Sequence, residues 1–220
     1  MVEWNIEIKR SIIEMNLVEM KQAVDMLYDE WDLGKTPSHS KGKVCAWIYL
    51  FEILEETEKM VIEKENGKVI GICGYAKWNS KKYIIRKKFF HILKTLLIWS
   101  PFVKDKKAIY KYNNDYDYTP EELANYFDGE ISILILNSNY RGKGIGKKML
   151  SQVFEYAKND NMKNIQILTD ESCNFKFYEA CGCSKVYDKV INNGEPDKCG
   201  NTSSEIGYIY EKRFGGKDNE

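Results

Sequence analysis

The chain has 220 residues, of which 43% are hydrophobic, so it is long and apolar enough to bury a substantial core. Its 33 basic and 33 acidic residues cancel, which argues against a polyanionic partner such as nucleic acid. The most apolar run, at 95–103, is broken by Pro101 and is far shorter than the roughly 20 residues that a membrane-spanning helix needs.

Cysteine usage indicates the compartment. Six cysteines are scattered along the sequence without a C-x-x-C pair, and the two histidines lack ligand spacing. This pattern is typical of free thiols rather than of a metal site. No apolar segment with a small-residue cleavage site opens the sequence, so we expect a reduced, cytoplasmic protein without a bound metal.

In the first part of the chain, apolar residues recur with the period of a helix in some segments and with the period of a strand in others. Asn66-Gly67 separates two β segments and favours a hairpin turn, because both residues tolerate positive φ. The segment at 34–42 is rich in small polar residues, so we expect it to be a loop that separates two helices. The predicted elements are a short strand at 4–8, helices at 17–33 and 44–56, and strands at 59–64 and 69–78.

The stretch at 79–128 interrupts this order, and we expect it to be a helical insertion between the third and fourth strands of one domain that spans 1–220. Residues 81–111 contain ten basic residues and one acid, whereas 114–130 contain six acids and no base. The basic half has the apolar spacing of a helix, which we expect to pack on the domain. A dimer contact and a membrane-surface helix are alternatives. The acidic half is either a solvated loop or an attractor of cationic ligands.

The second half of the chain reads as strand-helix-strand units. The predicted elements are strands at 130–136, 165–169, 184–191 and 206–212, and helices at 145–158 and 174–180. Together with the hairpin, these elements predict an α/β (α+β) fold with a single mixed sheet flanked by helices.

The segment NYRGKGIGKKML, at 139–150, follows a buried strand and opens a helix. Its three glycines let a ligand approach the main chain, and its four basic residues favour an anion beside the unpaired amides of the helix N-terminus. The segment therefore predicts a phosphate-binding loop. It is not a Walker A loop, because Lys147 is not followed by Ser or Thr, and it lacks the third glycine of the dinucleotide fingerprint G-x-G-x-x-G.

What remains is R-x-x-G-x-G, from Arg141 to Gly146, and this motif resembles the pyrophosphate loop of the GNAT superfamily of acyl-CoA-dependent N-acetyltransferases. A second segment, CNFKFYEACGCSKV at 173–186, looks like the short fourth helix of that family. Tyr178, Glu179 and Gly182 match its Tyr, Glu and Gly. The detailed resemblance covers about 129–213.

The resemblance implies a GNAT-like, mostly antiparallel sheet whose fourth and fifth strands part at a bulge, with acetyl-CoA (coenzyme A) as the cofactor. It implies these cofactor-binding residues: Leu134, Ile135, Leu136, Arg141, Gly142, Lys143, Gly144, Ile145, Gly146, Lys147, Asn174 and Tyr178. The first three correspond to backbone contacts with the pantetheine arm, and Asn174 stands where the family usually has Ala.

The resemblance also implies catalytic residues. Tyr178 occupies the family's acid position, and a tyrosine with a pKa near 10 stays protonated at neutral pH and can donate to the departing thiolate. Glu130 opens the strand where several family members carry a base, with Asp128 and Asp170 as weaker alternatives. Cys173 has no histidine nearby in sequence that would make it a nucleophile.

The sequence therefore predicts an N-acetyltransferase that transfers an acetyl group from acetyl-CoA to a primary amine of a small molecule or peptide, by direct attack in a ternary complex. The alternative is a catalytically weak CoA-binding module that uses its apolar insertion to bind a protein partner or a membrane surface. We expect an amine acceptor, no nucleic acid and no transmembrane segment, and a homodimer is an open alternative.

Overall fold

A six-stranded sheet organises the computed structural model, which describes residues 15–31, 43–103, 106, 118–193 and 203–215. The strands lie in the order β1-β2-β3-β4-β6-β5, and each neighbouring pair is antiparallel except β3 and β4, which are parallel. The strands are β1 (Lys59–Glu65), β2 (Lys68–Lys77), β3 (Gly129–Leu136), β4 (Asn164–Asp170), β5 (Ser184–Asn193) and β6 (Ser203–Arg213). The predicted fold class, a mixed and mostly antiparallel sheet flanked by helices, is confirmed.

Six α-helices accompany the strands in the described ranges. They are α1 (Leu17–Glu30), α2 (Val44–Glu56), α3 (Ile84–Ile98), α4 (Glu121–Ala124), α5 (Ile145–Asn159) and α6 (Lys176–Ala180). None of the helices within these ranges is long and apolar enough to cross a bilayer. The predicted strand at 4–8 and the predicted loop at 34–42 lie outside the described residues.

Local sequence signals account for the element boundaries. The Asn16 side chain accepts hydrogen bonds from the amides of Val18 and Glu19, and Glu19 accepts from the Asn16 amide, so a capping box starts α1. Asn66 and Gly67 have φ values of 49° and 76°, as the predicted hairpin turn between β1 and β2 requires.

Hydrophobic clusters cover both faces of the sheet. On one face α1, α2 and Phe90 of α3 pack against Ile72, Ile133 and Ile135. On the other face α5 buries Met149, Val153 and three other apolar residues against β1, β2, β4 and β6. The two helical layers hold β3 between them, which places the start of α5 beside the carboxyl end of that strand.

The segment that leads into β3 covers the far half of the sheet. Tyr118 and Phe127 are buried against Ile191 and Ile209, and the Tyr118 hydroxyl donates to the Thr169 carbonyl oxygen at 2.6 Å. The described part of the acidic stretch is therefore partly structural. The carboxylates of α4 are exposed, as expected if this part of the acidic stretch is solvated.

The helix predicted in the basic stretch is present as α3 and packs on the domain through the buried Phe90 and Ile98, but several of its other apolar side chains face solvent. Ile85, Phe89 and Leu96 are exposed, whereas Arg86 is buried and donates to the Thr57 carbonyl oxygen. Lys87 pairs with the buried Glu58 at 2.9 Å. Charged contacts thus add to the apolar packing that holds α3 on the protein. Carboxylate and carbonyl groups of α2 and the following turn are partners that the sequence pattern did not reveal.

A half-buried ionic cluster joins the end of α5 to β2. Tyr75 donates to Asp160 Oδ2 at 2.6 Å, Lys82 to Asp160 Oδ1 at 3.0 Å, and the Lys77 ammonium group to the Asp160 carbonyl oxygen at 2.6 Å. Burial raises the pKa of Asp160, but the hydrogen bonds from Tyr75 and Lys82 and the charge of Lys59 outweigh it and lower the pKa overall.

We expect Asp160→Asn to lower the free energy of unfolding at pH 7 by about 2 kcal/mol, because it removes a charged acceptor from this cluster. Since the folded state lowers the pKa of Asp160, this stabilisation is present above its ordinary pKa of 3.8 and is lost as pH falls through the folded value. Urea unfolding at a series of pH values measures it, with the exposed Asp25→Asn as control. Equal losses for both variants at pH 7 would contradict the expectation.

Candidate functional site

The central strands part where the site is formed. β3 and β4 are paired at Glu130 and Gln166, and no described pairing continues toward their carboxyl ends. Backbone groups on that side of β3 are therefore left without a strand partner over its second half. The predicted cofactor-contacting residues Leu134, Ile135 and Leu136 all lie in this half and pair with β2 on the other side.

A bulge in β3 accompanies the parting. Tyr75 opposes Ile131 and Gly74 opposes Ile133, so Ser132 is an extra residue in the ladder. The Ser132 hydroxyl lies 2.7 Å from that of Thr57, which joins the bulge to the turn after α2. Because a bulge increases local twist, it directs the second half of β3 away from β4.

The loop predicted to bind phosphate lies at the end of β3. A 3-10 turn at Ser138–Tyr140 leads to Gly142 and Gly144, whose φ values of 76° and 78° are strained for other residues. Gly144 caps α5, and its carbonyl oxygen accepts from the Lys148 amide at 3.0 Å. The amides of the first turn of α5 have no intrahelical partner and carry the positive end of the helix dipole.

Glu30, at the end of α1, fixes this loop. It accepts from the Ser138 amide at 2.8 Å and pairs with the Arg141 guanidinium at 2.5 Å, and Arg141 Nε also donates to the Leu136 carbonyl oxygen at 3.2 Å. Arg141 is therefore a brace of the loop here, in addition to supplying positive charge. Glu30 was missed from the sequence, since a carboxylate at the end of a helix carries no signal of a partner far along the chain.

Two lysines of the loop region face solvent. Lys143 lies over the Tyr140 ring, with its ammonium 5.1 Å from the ring centroid, and Lys147 is exposed in the first turn of α5. Both can approach an anion held at the helix N-terminus. Ile145, between them, is half-buried against the cluster under α5.

Helix α6 packs close to the start of α5. A Cβ built on Gly146 would lie 3.6 Å from the Phe177 ring, an ordinary van der Waals distance. Tyr178 belongs to the same hydrophobic cluster as Leu134 and Leu136, and its ring lies 5.8 Å from that of Tyr210. The structure thus places Tyr178, the predicted proton donor, near the second half of β3 and the start of α5.

The Tyr178 hydroxyl makes no hydrogen bond to any residue in the described part of the chain. Burial is the main cause that raises the pKa of Tyr178, with additional contributions from nearby cysteines. The hydroxyl is thus protonated at neutral pH and has a proton to donate. Asn174, at the turn before α6, is exposed, and its carbonyl oxygen accepts from the Phe177 amide at 3.0 Å.

Glu130 is held by a chain of side-chain hydrogen bonds. Gln166 Nε2 donates to Glu130 Oε2 at 3.1 Å, and Gln166 Oε1 accepts from the Thr119 hydroxyl at 3.2 Å. Gln166 is buried, so these two bonds fix both the orientation of its amide and the position of the carboxylate. The predicted base therefore lies at the last paired position of β3 and β4.

A cavity of about 300 Å³ opens beside Glu130. It is lined by Glu55, Glu56, Ala76, Lys77, Trp78, Lys87 and Glu130. Glu56 is an exposed residue that contributes to the lining of this cavity. Burial, followed by the charges of Glu130 and Glu52, raises the pKa of Glu56 to about 7.

Glu56 is a functional candidate that sequence reasoning missed. In the sequence it is one of several acids at the end of an amphipathic helix, and only the fold brings it to Glu130. A carboxylate with a pKa near 7 can accept a proton at neutral pH. A second cavity of about 270 Å³, between α5 and the end of β6, contains no predicted site residue.

The weaker candidates for the base, Asp128 and Asp170, are engaged in hydrogen bonds to neighbouring residues. Asp128 accepts from the amides of Lys163 and Asn164, and Asp170 accepts from the Ser172 amide and hydroxyl. Burial, together with the charge of Asp170, raises the pKa of the Cys173 thiol, which disfavours the nucleophilic thiolate. All five cysteines in the described residues are free thiols.

The sequence of this region matches a known family. Residues 108–183, which include the loop, α5, β4, α6 and Tyr178, match the Acetyltransferase (GNAT) family model. No curated protein matches the chain in sequence.

Solved structures show the same fold at low sequence identity. A Pyrococcus horikoshii OT3 protein has a TM-score of 0.55 at 15% identity, over 93% of this chain and 96% of that one. An aminoglycoside 6'-N-acetyltransferase complexed with coenzyme A has a TM-score of 0.54 at 13% identity, over 92% and 95%. An aminoglycoside 6'-acetyltransferase type Ii has a TM-score of 0.51 at 14% identity, over 92% and 94%.

The matched region indicates the class of protein, an acyltransferase. The resemblance read from the loop and the short helix is confirmed for residues 108–183, which match the GNAT acetyltransferase family model.

Proposed function

We propose that this chain is an N-acetyltransferase that uses acetyl-CoA and acts on a primary amine of a small molecule or peptide, in a ternary complex. One observation supports this most: the glycine-rich start of α5 presents unpaired amides directly beside the gap between β3 and β4. The acetyltransferase family match and the coenzyme A complex of a structural neighbour support the choice of cofactor. The five free thiols in the described ranges fit a reducing cytoplasmic setting.

The loop residues would hold the diphosphate of the cofactor. Amides of Gly142, Gly144 and the first turn of α5 can donate to phosphate oxygens, and Lys143 and Lys147 can add charge from the solvent side. The unpaired edge of β3 at Leu134, Ile135 and Leu136 can bond to the amide groups of the pantetheine arm, as an added strand would. When bound, acetyl-CoA supplies an acyl thioester as the acetyl donor.

Tyr178 is proposed as the proton donor. It lies, partly buried, in the cluster that includes Leu134 and Leu136, and its hydroxyl keeps its proton because burial raises its pKa. A thiolate leaving at the second half of β3 would accept this proton. The hydroxyl oxygen of Tyr178 would then carry a charge only briefly, until the proton is replaced from solvent.

The acceptor amine would enter from the cavity beside Glu130. Amines are protonated at neutral pH and must lose a proton before attack, so a base is required there. Glu56, whose pKa is raised to about 7, is our candidate for that base, with Glu130 both positioning the amine and raising the pKa of Glu56. Trp78 offers an aromatic wall to a cationic or apolar acceptor.

We expect Gly144→Val to weaken coenzyme A binding at least tenfold, about 1.4 kcal/mol, because the side chain strains the positive φ and disorders the amides at the start of α5. Gly67→Val is a matched control, since Gly67 has nearly the same φ and equally open space but lies in the β1–β2 turn. Calorimetry with coenzyme A measures both. Equal affinity of the two variants would count against the loop as the phosphate site.

We expect Tyr178→Phe to lower kcat about a hundredfold while coenzyme A affinity stays within twofold, because only the proton donor is removed. The control is Tyr156→Phe on α5, whose hydroxyl accepts from Gln152 at 2.8 Å. Release of free thiol in the presence of a panel of amines measures turnover. Full activity of Tyr178→Phe would exclude it as the acid.

We expect kcat/KM to fall as the pH drops through about 7, because protonation of Glu56 removes the base. Glu56→Gln abolishes this low-pH limb of the kcat/KM profile together with most activity. Glu130→Gln removes a like charge that raises the pKa of Glu56, so the limb moves to lower pH. A limb unchanged in Glu56→Gln would show that Glu56 is not the base.

A further inference from the structure

The outer side of α3 consists largely of apolar residues that no other part of the described structure covers. Ile85, Phe89, Ile92, Leu96 and Trp99 recur at helical spacing along one side. Ile85 is 80% exposed, Leu96 65% and Trp99 66%. Phe102, just after the helix, is also exposed. A contiguous apolar stripe of this kind on a protein surface marks an interaction site. We name these six residues the α3 stripe.

The inner side of α3 explains why the stripe points outward. Lys94 pairs with Glu55 at 2.8 Å and with Glu52 at 3.4 Å, and Lys87 pairs with Glu58 at 2.9 Å. His91 Nδ1 lies 2.9 Å from Glu55 Oε1. These contacts, with the buried Arg86, fix the rotation of the helix about its axis. Several polar groups of α3 thus pair with α2 and the following turn, and the apolar residues on the opposite side of the helix face solvent.

Positive charge predominates around the stripe. Residues 81–106 contain eight basic residues and one acid, Asp105. Lys81 and Lys88 are exposed and form no ion pair within the described residues, and the Lys106 ammonium lies 4.4 Å from the Trp99 ring centroid. Two copies of this surface facing each other would bring mostly positive charges together. The rim is therefore better matched to an anionic surface than to a second copy.

We propose that the α3 stripe lies on an anionic lipid surface, with α3 parallel to the membrane plane. Aliphatic and aromatic side chains, with a Trp at one end and lysines at the rim, are the features of a helix that inserts its apolar side into the headgroup region. Exposed lysines beside it gain attraction to anionic headgroups, and salt weakens that attraction. This binding is separate from the cofactor site and does not depend on the proposed reaction.

Co-sedimentation of the full chain with vesicles tests the proposal. We expect binding to vesicles of phosphatidylglycerol and phosphatidylcholine that exceeds binding to phosphatidylcholine alone at least tenfold, and that falls in 0.5 M salt. Ile85→Ser with Leu96→Ser removes two exposed side chains and lowers vesicle binding at least tenfold. Leu17→Ser with Val190→Ser, where both residues are 62% exposed elsewhere, leaves binding unchanged.

The opposite results overturn the proposal. Equal losses in the stripe variant and the control variant would show that α3 is not the contact. An absence of vesicle binding, with a dimer in solution that the stripe variant dissociates, would assign the face to a second copy. Coenzyme A binding and circular dichroism of each variant confirm that the fold is retained.

Discussion

The site depends on the parting of β3 from β4 beyond the Glu130–Gln166 pair. A parallel pair in the centre of a sheet would ordinarily continue its ladder, since buried backbone amides and carbonyls without partners are costly. Here the bulge at Ser132 and the helices on both faces keep the strands apart. The backbone groups of β3 that are left without a strand partner lie next to the amides at the start of α5. An extended ligand with a phosphate group at one end can bind to both sets of groups.

Two side-chain networks keep this geometry rigid on each side of the opening. Glu30 binds the Ser138 amide and Arg141, which ties the phosphate loop to α1. On the other side Thr119 orients the Gln166 amide, which in turn holds Glu130. A site built on strand ends and braced by polar contacts needs little reorganisation when a ligand binds.

Much of the fold and part of the candidate site could be predicted from the sequence. Helix 44–56 and the hairpin at Asn66-Gly67 follow from local signals, because hydrophobic period and turn chemistry are short-range. The loop at Arg141 to Gly146 was recognisable for the same reason, since its function depends on local backbone shape. Glu30 and Glu56 were not predictable, because their roles arise from contacts between distant segments.

Helix α3 illustrates the same limit in another way. Its apolar spacing predicted a helix correctly, but amphipathic periodicity does not say which side faces the protein. The buried partners Thr57 and Glu58 bind Arg86 and Lys87 on the side where Phe90 and Ile98 are also buried. Charge pairing across elements thus contributes to the rotation of the helix, and the sequence pattern does not contain that information.

Amide hydrogen exchange with and without coenzyme A tests the central claim most directly. We predict that exchange slows on addition of coenzyme A at two separate places, the second half of β3 around Leu134–Leu136 and the loop and first turn of α5 at 142–147. Both sets of amides gain a partner at once if one ligand spans them. Binding that leaves exchange at both places unchanged would contradict the account.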